Sequence, residues 1–345
     1  MKYVFGPVSS RRLGRSLGID TVPLKTCNWN CVYCQLGRTR PLSVLRAPYC
    51  PVEDVIDEVR RVLSRPECRE IDWITFVGSG EPLLHSQMGR LLSEIKVLSE
   101  VPVAVLTNGS LLYLPEVRAE LLGADAVLPS VDAGSASLYR RINRPHPSLH
   151  YSDFVAGLAS FRSQFEGKLW VEVMLVAGLN DSGEQLADLA RVLDRIGPDA
   201  IHVNTPVRSP AEAWVHPPLE DRVAEAVSIL GRVAEAVPPP PSTGPTSSCD
   251  APSLSDIAPS ADADGGAEPP DSGLMDAITA VVGRHPMDEL DLSVVFPDRS
   301  PAVVQAAVKE LIARGKVQEV LRYGRRFLGP VGGRYAAGAG NQDAG

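Results

Sequence analysis

No stretch of this chain approaches the roughly 18 consecutive apolar residues that a membrane-spanning helix needs. The first ten residues also lack the charged-then-apolar order of a secretory signal. Cysteine is scarce, six in 345 residues, and without an export signal those thiols are expected in a reducing, cytoplasmic compartment. There they serve as metal ligands, redox groups or core residues, not as a disulfide framework. Basic excess is missing as well: 34 Lys+Arg against 42 Asp+Glu leave a net charge of -8. That excludes a globally basic coat for nucleic acid, while leaving local patches open. No repeat of a solenoid or propeller period is present.

Proline, by contrast, is plentiful, and it is unevenly spread. Residues 238–272 contain nine prolines and seven serines, and all six charges there are acidic. A segment of that composition cannot bury enough apolar surface to offset its conformational entropy, so it reads as a disordered linker. The expected organisation is a catalytic domain over 1–217, a closing helix over 218–237, the linker, a small domain over 273–330 and a flexible Gly/Ala-rich tail over 331–345.

Ahead of the linker, short runs rich in aliphatic and β-branched residues alternate with helix-length amphipathic segments. Strands are expected over 16–22, 71–77, 101–106, 126–131, 169–175 and 200–204. Helices are expected over 52–64, 83–98, 115–122, 150–165, 183–196 and 219–237. Six βα units imply an α/β fold, a partial (β/α)6 TIM-type barrel, with a doubly wound open sheet as competitor. The barrel is favoured because unusual polar sequences follow nearly every strand, at the end where barrel enzymes gather their sites.

Cys27, Cys31 and Cys34 place three thiols within eight residues, directly after the first expected strand. Clustered thiolates select zinc or an iron–sulfur cluster. A structural zinc site wants four ligands, and no fourth Cys or His follows at finger spacing. Three protein ligands on a four-iron cluster leave one iron open to an outside molecule, which is a catalytic arrangement.

Cys-x3-Cys-x2-Cys with Tyr33 before the last cysteine resembles the signature of the radical S-adenosylmethionine (SAM) superfamily. Gly78-Ser79-Gly80-Glu81-Pro82 is similar to its Gly-Gly-Glu-Pro element, with Ser79 in place of a glycine. The resemblance implies a [4Fe-4S] cluster on the three cysteines, and contacts to the SAM amine from Gly80, Glu81 and Pro82. It further implies ribose and carboxylate contacts from Asn108, Ser130 and Asp132, and an adenine site at Glu172 and Met174. Singly, these fragments also read as a turn, a strand-to-helix connection and a helix cap. Their order on successive strand ends carries the resemblance. The implied activity is reductive SAM cleavage to a 5′-deoxyadenosyl radical that abstracts hydrogen from substrate, an oxidoreductase-type chemistry with a flavodoxin or ferredoxin as electron donor.

The segments 5–18 and 139–145 resemble a prokaryotic branch related to the wybutosine-type tRNA-modifying enzymes, which implies RNA (tRNA) as substrate. Lys25 stands where that branch places a Schiff-base lysine, and Arg208, beyond the last strand, is expected at the barrel lip facing substrate or SAM. Cys50, Cys68 and Cys249 read as ordinary thiols. From Ser9 to Arg46 seven basic residues face one acid, Asp20, a local surplus suited either to phosphates or to balancing thiolates.

Residues 274–284, 287–295 and 300–313 read as helices, followed by a hairpin around Tyr323-Gly324-Arg325, which is the winged-helix order. Seven basic against two acidic residues from Lys309 to Arg334 fit nucleic acid, but the groove-reading helix offers only Gln305, Lys309 and Glu310, so protein docking fits equally. The preferred reading is a radical SAM enzyme with a tethered winged-helix domain and no membrane association. The alternative is a zinc-binding winged-helix regulatory protein without catalysis.

Overall fold

The computed structural model describes residues 2–65, 70–238, 272–296, 299–323 and 325–335. Its main sheet has eight strands in strictly sequential order. β1 (Val4–Ser10) pairs antiparallel with β2 (Gly14–Ile19), and its ladder is interrupted between Phe5 and Val8, where Gly6 and Pro7 lie. β3 (Trp73–Phe76), β4 (Val103–Thr107), β5 (Ala126–Pro129), β6 (Lys168–Met174), β7 (Ala200–Asn204) and β8 (Ala234–Ala236) then add in parallel. A doubly wound sheet reverses its strand order at a switch point. None occurs here, so the partial barrel stands.

Helices α1 (Val52–Leu63), α2 (Met88–Leu98), α3 (Pro115–Leu121), α4 (Ala136–Ile142), α5 (Tyr151–Arg162), α6 (Gly183–Ile196) and α7 (Glu220–Leu230) connect the parallel strands. Each is placed by its sequence. In α1, Val52, Val55, Ile56, Val59 and Val62 make one buried stripe, Glu53 and Asp54 sit in the first turn, and Arg60 and Arg61 in the last, as the helix dipole favours. In α6, Ser182 and Gln185 form a reciprocal capping box. The stripes pack on Leu17, Ile19, Ile74, Phe76, Val103, Val105, Val127, Val171 and Val203, which form one face of the sheet. The opposite face carries a smaller cluster of Leu13, Ala104, Ala126 and Leu128 with Trp73 and Trp170, in which Leu13 comes from the β1–β2 turn.

Residues 218–237, expected as one closing helix, are instead α7 followed by β8. Gly231, at φ 98, ends the helix, and residues 234–236 pair with β7. The edges of the sheet approach each other: Arg11 Nη1 on the hairpin turn donates to the Pro238 carbonyl (2.9 Å), beyond β8. Among the described residues no helix is long and apolar enough to cross a membrane. The expected linker falls almost wholly in 239–271, outside the described residues, as do Cys68 and Cys249.

The C-terminal module is α8 (Ser272–Val282), α9 (Glu289–Val295), α10 (Pro301–Ala313) and the hairpin β9 (Val317–Arg322), β10 (Arg325–Pro330). Leu274, Ile278, Val282, Leu292, Val304, Val308 and Leu311 form its core. A tether is not all that joins it to the barrel. Val8 of β1 packs against that core. Arg284 Nε donates to Asp20 Oδ2 (2.8 Å), Nη2 donates to the Lys2 carbonyl (2.8 Å), and the guanidinium lies 5.0 Å from the Phe5 ring centroid. On the other flank the Tyr323 hydroxyl donates to the Val215 carbonyl at 3.0 Å. Residues 331–335, expected within a frayed tail, are bonded to the barrel: Arg38 N donates to the Arg334 carbonyl (2.5 Å) and the Tyr335 hydroxyl to that of Gln35 (2.8 Å). Gly37 permits this approach, since a Cβ there would lie 2.6 Å from the Arg334 oxygen.

Candidate functional site

The cysteine loop follows β2 at the C-terminal mouth of the barrel, and it is held from both sides. Trp29, 1% exposed, meets Tyr139 and Phe154 edge-on at 5.3 and 5.6 Å, and those two rings stack at 5.3 Å. Backbone bonds add register: Asn30 N donates to the Asn143 carbonyl (3.0 Å), Val32 N to that of Ile142 (2.9 Å), and His146 N to that of Asn28 (2.8 Å). A loop between two strands of a barrel has thus become a packed layer over α4 and α5.

Each of the three sulfurs receives a side-chain N–H. Lys25 Nζ donates to Cys34 Sγ (3.1 Å), Asn108 Nδ2 to Cys27 Sγ (3.8 Å) and Asn143 Nδ2 to Cys31 Sγ (3.8 Å). The Trp29 N–H adds a second contact to Cys27. Burial nonetheless pushes the Cys27 thiol up to about 12 and raises Cys31 too, with neighbouring acidic groups adding to both. A metal bound there would offset this burial, since the ligating form is the thiolate. Among the described residues no three His, Cys, Asp or Glu side chains are grouped to hold a single ion. A four-iron cluster, whose thiolates bind different irons, requires no such convergence. Three neighbouring thiols, each with its own N–H donor, fit the thiolate ligands that such a cluster takes.

The strand-end motifs join the same network. Gly80 leaves room for the chain to cross, because a Cβ would come within 2.0 Å of the Thr26 carbonyl oxygen. Glu81 N donates to that carbonyl (2.9 Å). Glu81 Oε1 accepts from Thr107 Oγ1 (2.5 Å) and Leu83 N (3.0 Å), where it caps the short turn Pro82–Leu84, and Oε2 accepts from Asn108 N (2.7 Å). Asp132 Oδ2 accepts from the Tyr33 hydroxyl (2.5 Å) and Asn143 Nδ2 (2.6 Å), while Oδ1 accepts from Met174 N (2.8 Å). Burial raises the Asp132 carboxyl, opposed by these bonds. Ser130 bridges to Glu172 in the backbone ladder, and the Glu172 carboxylate pairs with Arg12.

Burial pushes Glu81 up to about 7, against the three bonds it accepts. A carboxyl raised in the folded state binds its proton more tightly there than in the unfolded chain, so stability is fully present below pH 4.5 and is lost as pH rises towards 7. In SAM-free protein the melting temperature is expected to fall between pH 5 and 7.5 by the equivalent of up to about 3 kcal/mol, and the slope to flatten in Glu81→Gln. Equal slopes in both proteins would count against a buried, titrating Glu81.

Lys25 donates also to the Gly37 carbonyl (2.6 Å) and sits at φ 63. Arg144 and Tyr323 are the other non-glycine residues at positive φ among those described, and both lie at this end of the barrel. Among the described residues no hydrogen bond joins Arg208 to the network. Burial, and after it the neighbouring Arg208, Arg284 and Arg12, push His285 down to about 3, while Asp291 and Asp288 also lie near Arg208. The basic surplus expected over 9–46 is mostly paired, with Arg12 on Glu172, Arg38 on Glu212 and Arg46 on Glu120. Cys50 is a core thiol beside His85 (3.4 Å).

Several residues of the site were not among the candidates that the sequence singled out. Asn143 binds Cys31, Tyr33 and Asp132 together. Asn180 Nδ2 bridges the carbonyls of Asp132 and Met174 at 2.9 Å each. Asp20 accepts from Ser79 N (3.1 Å) and Ser79 Oγ (2.6 Å) as well as from Arg284. The serine that departs from the double-glycine pattern is thereby used, tying the Gly-Ser-Gly-Glu-Pro loop to the C-terminal module.

Comparison with known proteins adds to this geometry. Residues 21–193 match the Radical SAM superfamily. A UPF0026 protein of Methanocaldococcus jannaschii is 34% identical over 235 residues, covering 68% of this chain and 72% of that protein. A protein named GTPase Obg of Brachyspira hyodysenteriae is 44% identical over 207 residues, which are 60% of this chain but only 30% of that protein. A probable dual-specificity RNA methyltransferase RlmN of Parasynechococcus marenigrum is 27% identical over 201 residues, 54% of each chain.

Proposed function

The chain belongs to the Radical SAM superfamily, and from that premise we propose that it is an RNA-modifying enzyme in which Cys27, Cys31 and Cys34 hold a [4Fe-4S] cluster. The observation that carries this reading is that each of the three thiols at the barrel mouth has its own side-chain N–H donor, in a chain whose residues 21–193 match that superfamily. When bound, the cluster and SAM supply reductive cleavage of a sulfonium C–S bond and hydrogen-atom abstraction from the substrate by the 5′-deoxyadenosyl radical.

The chain's own residues bind, orient and exclude water. Lys25 offsets thiolate charge at Cys34, and for it to serve as a Schiff-base amine it must leave both Cys34 and Gly37. Glu81, Asn108, Ser130 and Asp132 line successive strand ends, where SAM's polar groups find partners, with Glu172 and Met174 beside them. Arg208, near Asp291 and Asp288 of the module, is the candidate for an anionic group of substrate or SAM, which would have to compete with those carboxylates. The helix, helix, helix, hairpin order supports reading the module as a winged helix. It lies against the mouth, and Arg325 and Arg326 of its hairpin are paired with Asp288 and Glu319, which favours a role in covering the site over groove reading. RNA as substrate rests on the RlmN relatives. A flavodoxin or ferredoxin is the expected electron donor. The zinc-regulator alternative finds no support in the donor set or the relatives.

Anaerobic reconstitution with iron and sulfide is expected to give a brown protein that forms 5′-deoxyadenosine when reduced in the presence of SAM. Its yield should rise when cellular RNA is added. A colourless protein that takes up zinc and leaves SAM intact would overturn the reading.

A further inference from the structure

Trp214 is half exposed, an unusual state for an indole, and among the described residues it stacks on no other ring. Its loop is not loose. Glu212 N donates to the Val32 carbonyl (3.1 Å), Val215 N to that of Glu212 (3.2 Å), and the Val215 carbonyl accepts from Tyr323. Ala211, Glu212 and Val215 are buried on either side of the indole. The ring is therefore presented by a rigid support.

Trp214 lines an open cleft of about 510 Å³ together with Arg141, Arg144 and residues Ala177 to Leu179. Glu212, 3% exposed, lies next to these arginines and is engaged internally: Arg38 grips it with two bonds (2.9 and 2.6 Å) and Arg144 with a third (2.5 Å), while Asp181 accepts from Gly178 N at the cleft (2.8 Å). Beyond Arg38 the basic strip continues, since the Arg334 carbonyl accepts from Arg38 N and Arg334 Nη1 donates to the Arg40 carbonyl (3.4 Å). Arg40, Arg141 and Arg334 are exposed. Five arginines and one exposed indole thus form a continuous band along the outer flank of the cysteine loop. Asn143, buried and one residue before Arg144, donates to Cys31 Sγ (3.8 Å) and so links the band's backbone to the cysteine loop.

We propose that this band is a binding surface for single-stranded RNA, with a base stacked on Trp214 and the flanking phosphates on Arg141, Arg144 and the strip towards Arg40. An aromatic face between cations is what unpaired nucleotides require, because every base has a π-face and every linkage a negative charge. A duplex keeps its bases stacked internally and offers the indole nothing. An acidic peptide satisfies the arginines but leaves the indole in water. The inference deepens the RNA reading above and rests on it for the substrate class, while its geometry is independent of the cluster.

The test uses the full chain and a labelled 12-nucleotide RNA of mixed, unstructured sequence, read by fluorescence anisotropy. Trp214→Ala is expected to weaken binding about 5- to 150-fold, the range of one lost base stack, with partial rescue in Trp214→Phe. Arg141→Gln should lower the salt dependence of log K by about 0.7, one phosphate contact on a single strand. Both variants should cleave SAM at the wild-type rate in the absence of RNA, since neither residue touches the thiols. Unchanged affinity in Trp214→Ala, equal binding of a duplex of the same length, or equal competition by oligoglutamate overturns the proposal. Failure of SAM cleavage with these binding effects intact would remove the enzyme reading and leave the surface standing.

Discussion

Cys31→Ala is expected to yield a colourless protein whose reductive cleavage of SAM drops to background. Changes to groups that merely support a metal's ligands typically cost 10- to 100-fold, so removal of one of three ligands should exceed about 100-fold. The fold should survive. Cys31 is only partly buried, and its donor Asn143 keeps Asp132 Oδ2 at 2.6 Å when the sulfur is gone. The check is iron content and 5′-deoxyadenosine yield after anaerobic reconstitution, beside a far-ultraviolet circular dichroism spectrum. An unchanged spectrum with lost iron is the expected pattern. Retained iron and turnover would mean that the loop does not carry the cluster.

Trp29→Ala is expected to cost about 3 to 5 kcal/mol of stability, the usual penalty for emptying a buried aromatic site. The cavity would open between Tyr139 and Phe154, which stack on each other with planes 9° apart and close poorly over a missing indole. Because residues 28–32 rest on that ring, the variant should also load iron poorly, whereas Trp29→Phe should keep much of both properties. Urea denaturation of the metal-free proteins measures the first effect. A loss below about 1 kcal/mol would show that the backbone bonds to residues 142–146 hold the loop without the ring.

Strands β2 to β7 were legible in the sequence because each is a short aliphatic run facing a helical stripe, and burial on the sheet leaves no room for polar residues at Leu17, Ile74, Val105 or Val171. β1 was not, because Gly6 and Pro7 interrupt its apolar run, and only the pairing with β2 shows that they occupy an irregularity in a ladder. β8 escaped notice as three residues, Ala234–Ala236, with no apolar alternation of their own. Within the site, the cysteines and Glu81 declare themselves by spacing. Asn143, Asn180 and Asp20 do not, since a lone amide or carboxylate acquires meaning only from what the fold sets opposite it. The Asp20 to Arg284 pair spans 264 residues of chain, and nothing local in either segment anticipates it.

That long span also sets an order of events. A chain emerges from the ribosome from its N-terminus, and its domains generally fold as units in that order. The cysteine loop and every strand of the barrel are complete before residue 272, while Arg284, Tyr323, Arg334 and Tyr335 are still to be made. During synthesis there is thus an interval in which the cysteine loop and the barrel around it are complete while the module that later packs against them is still to be made.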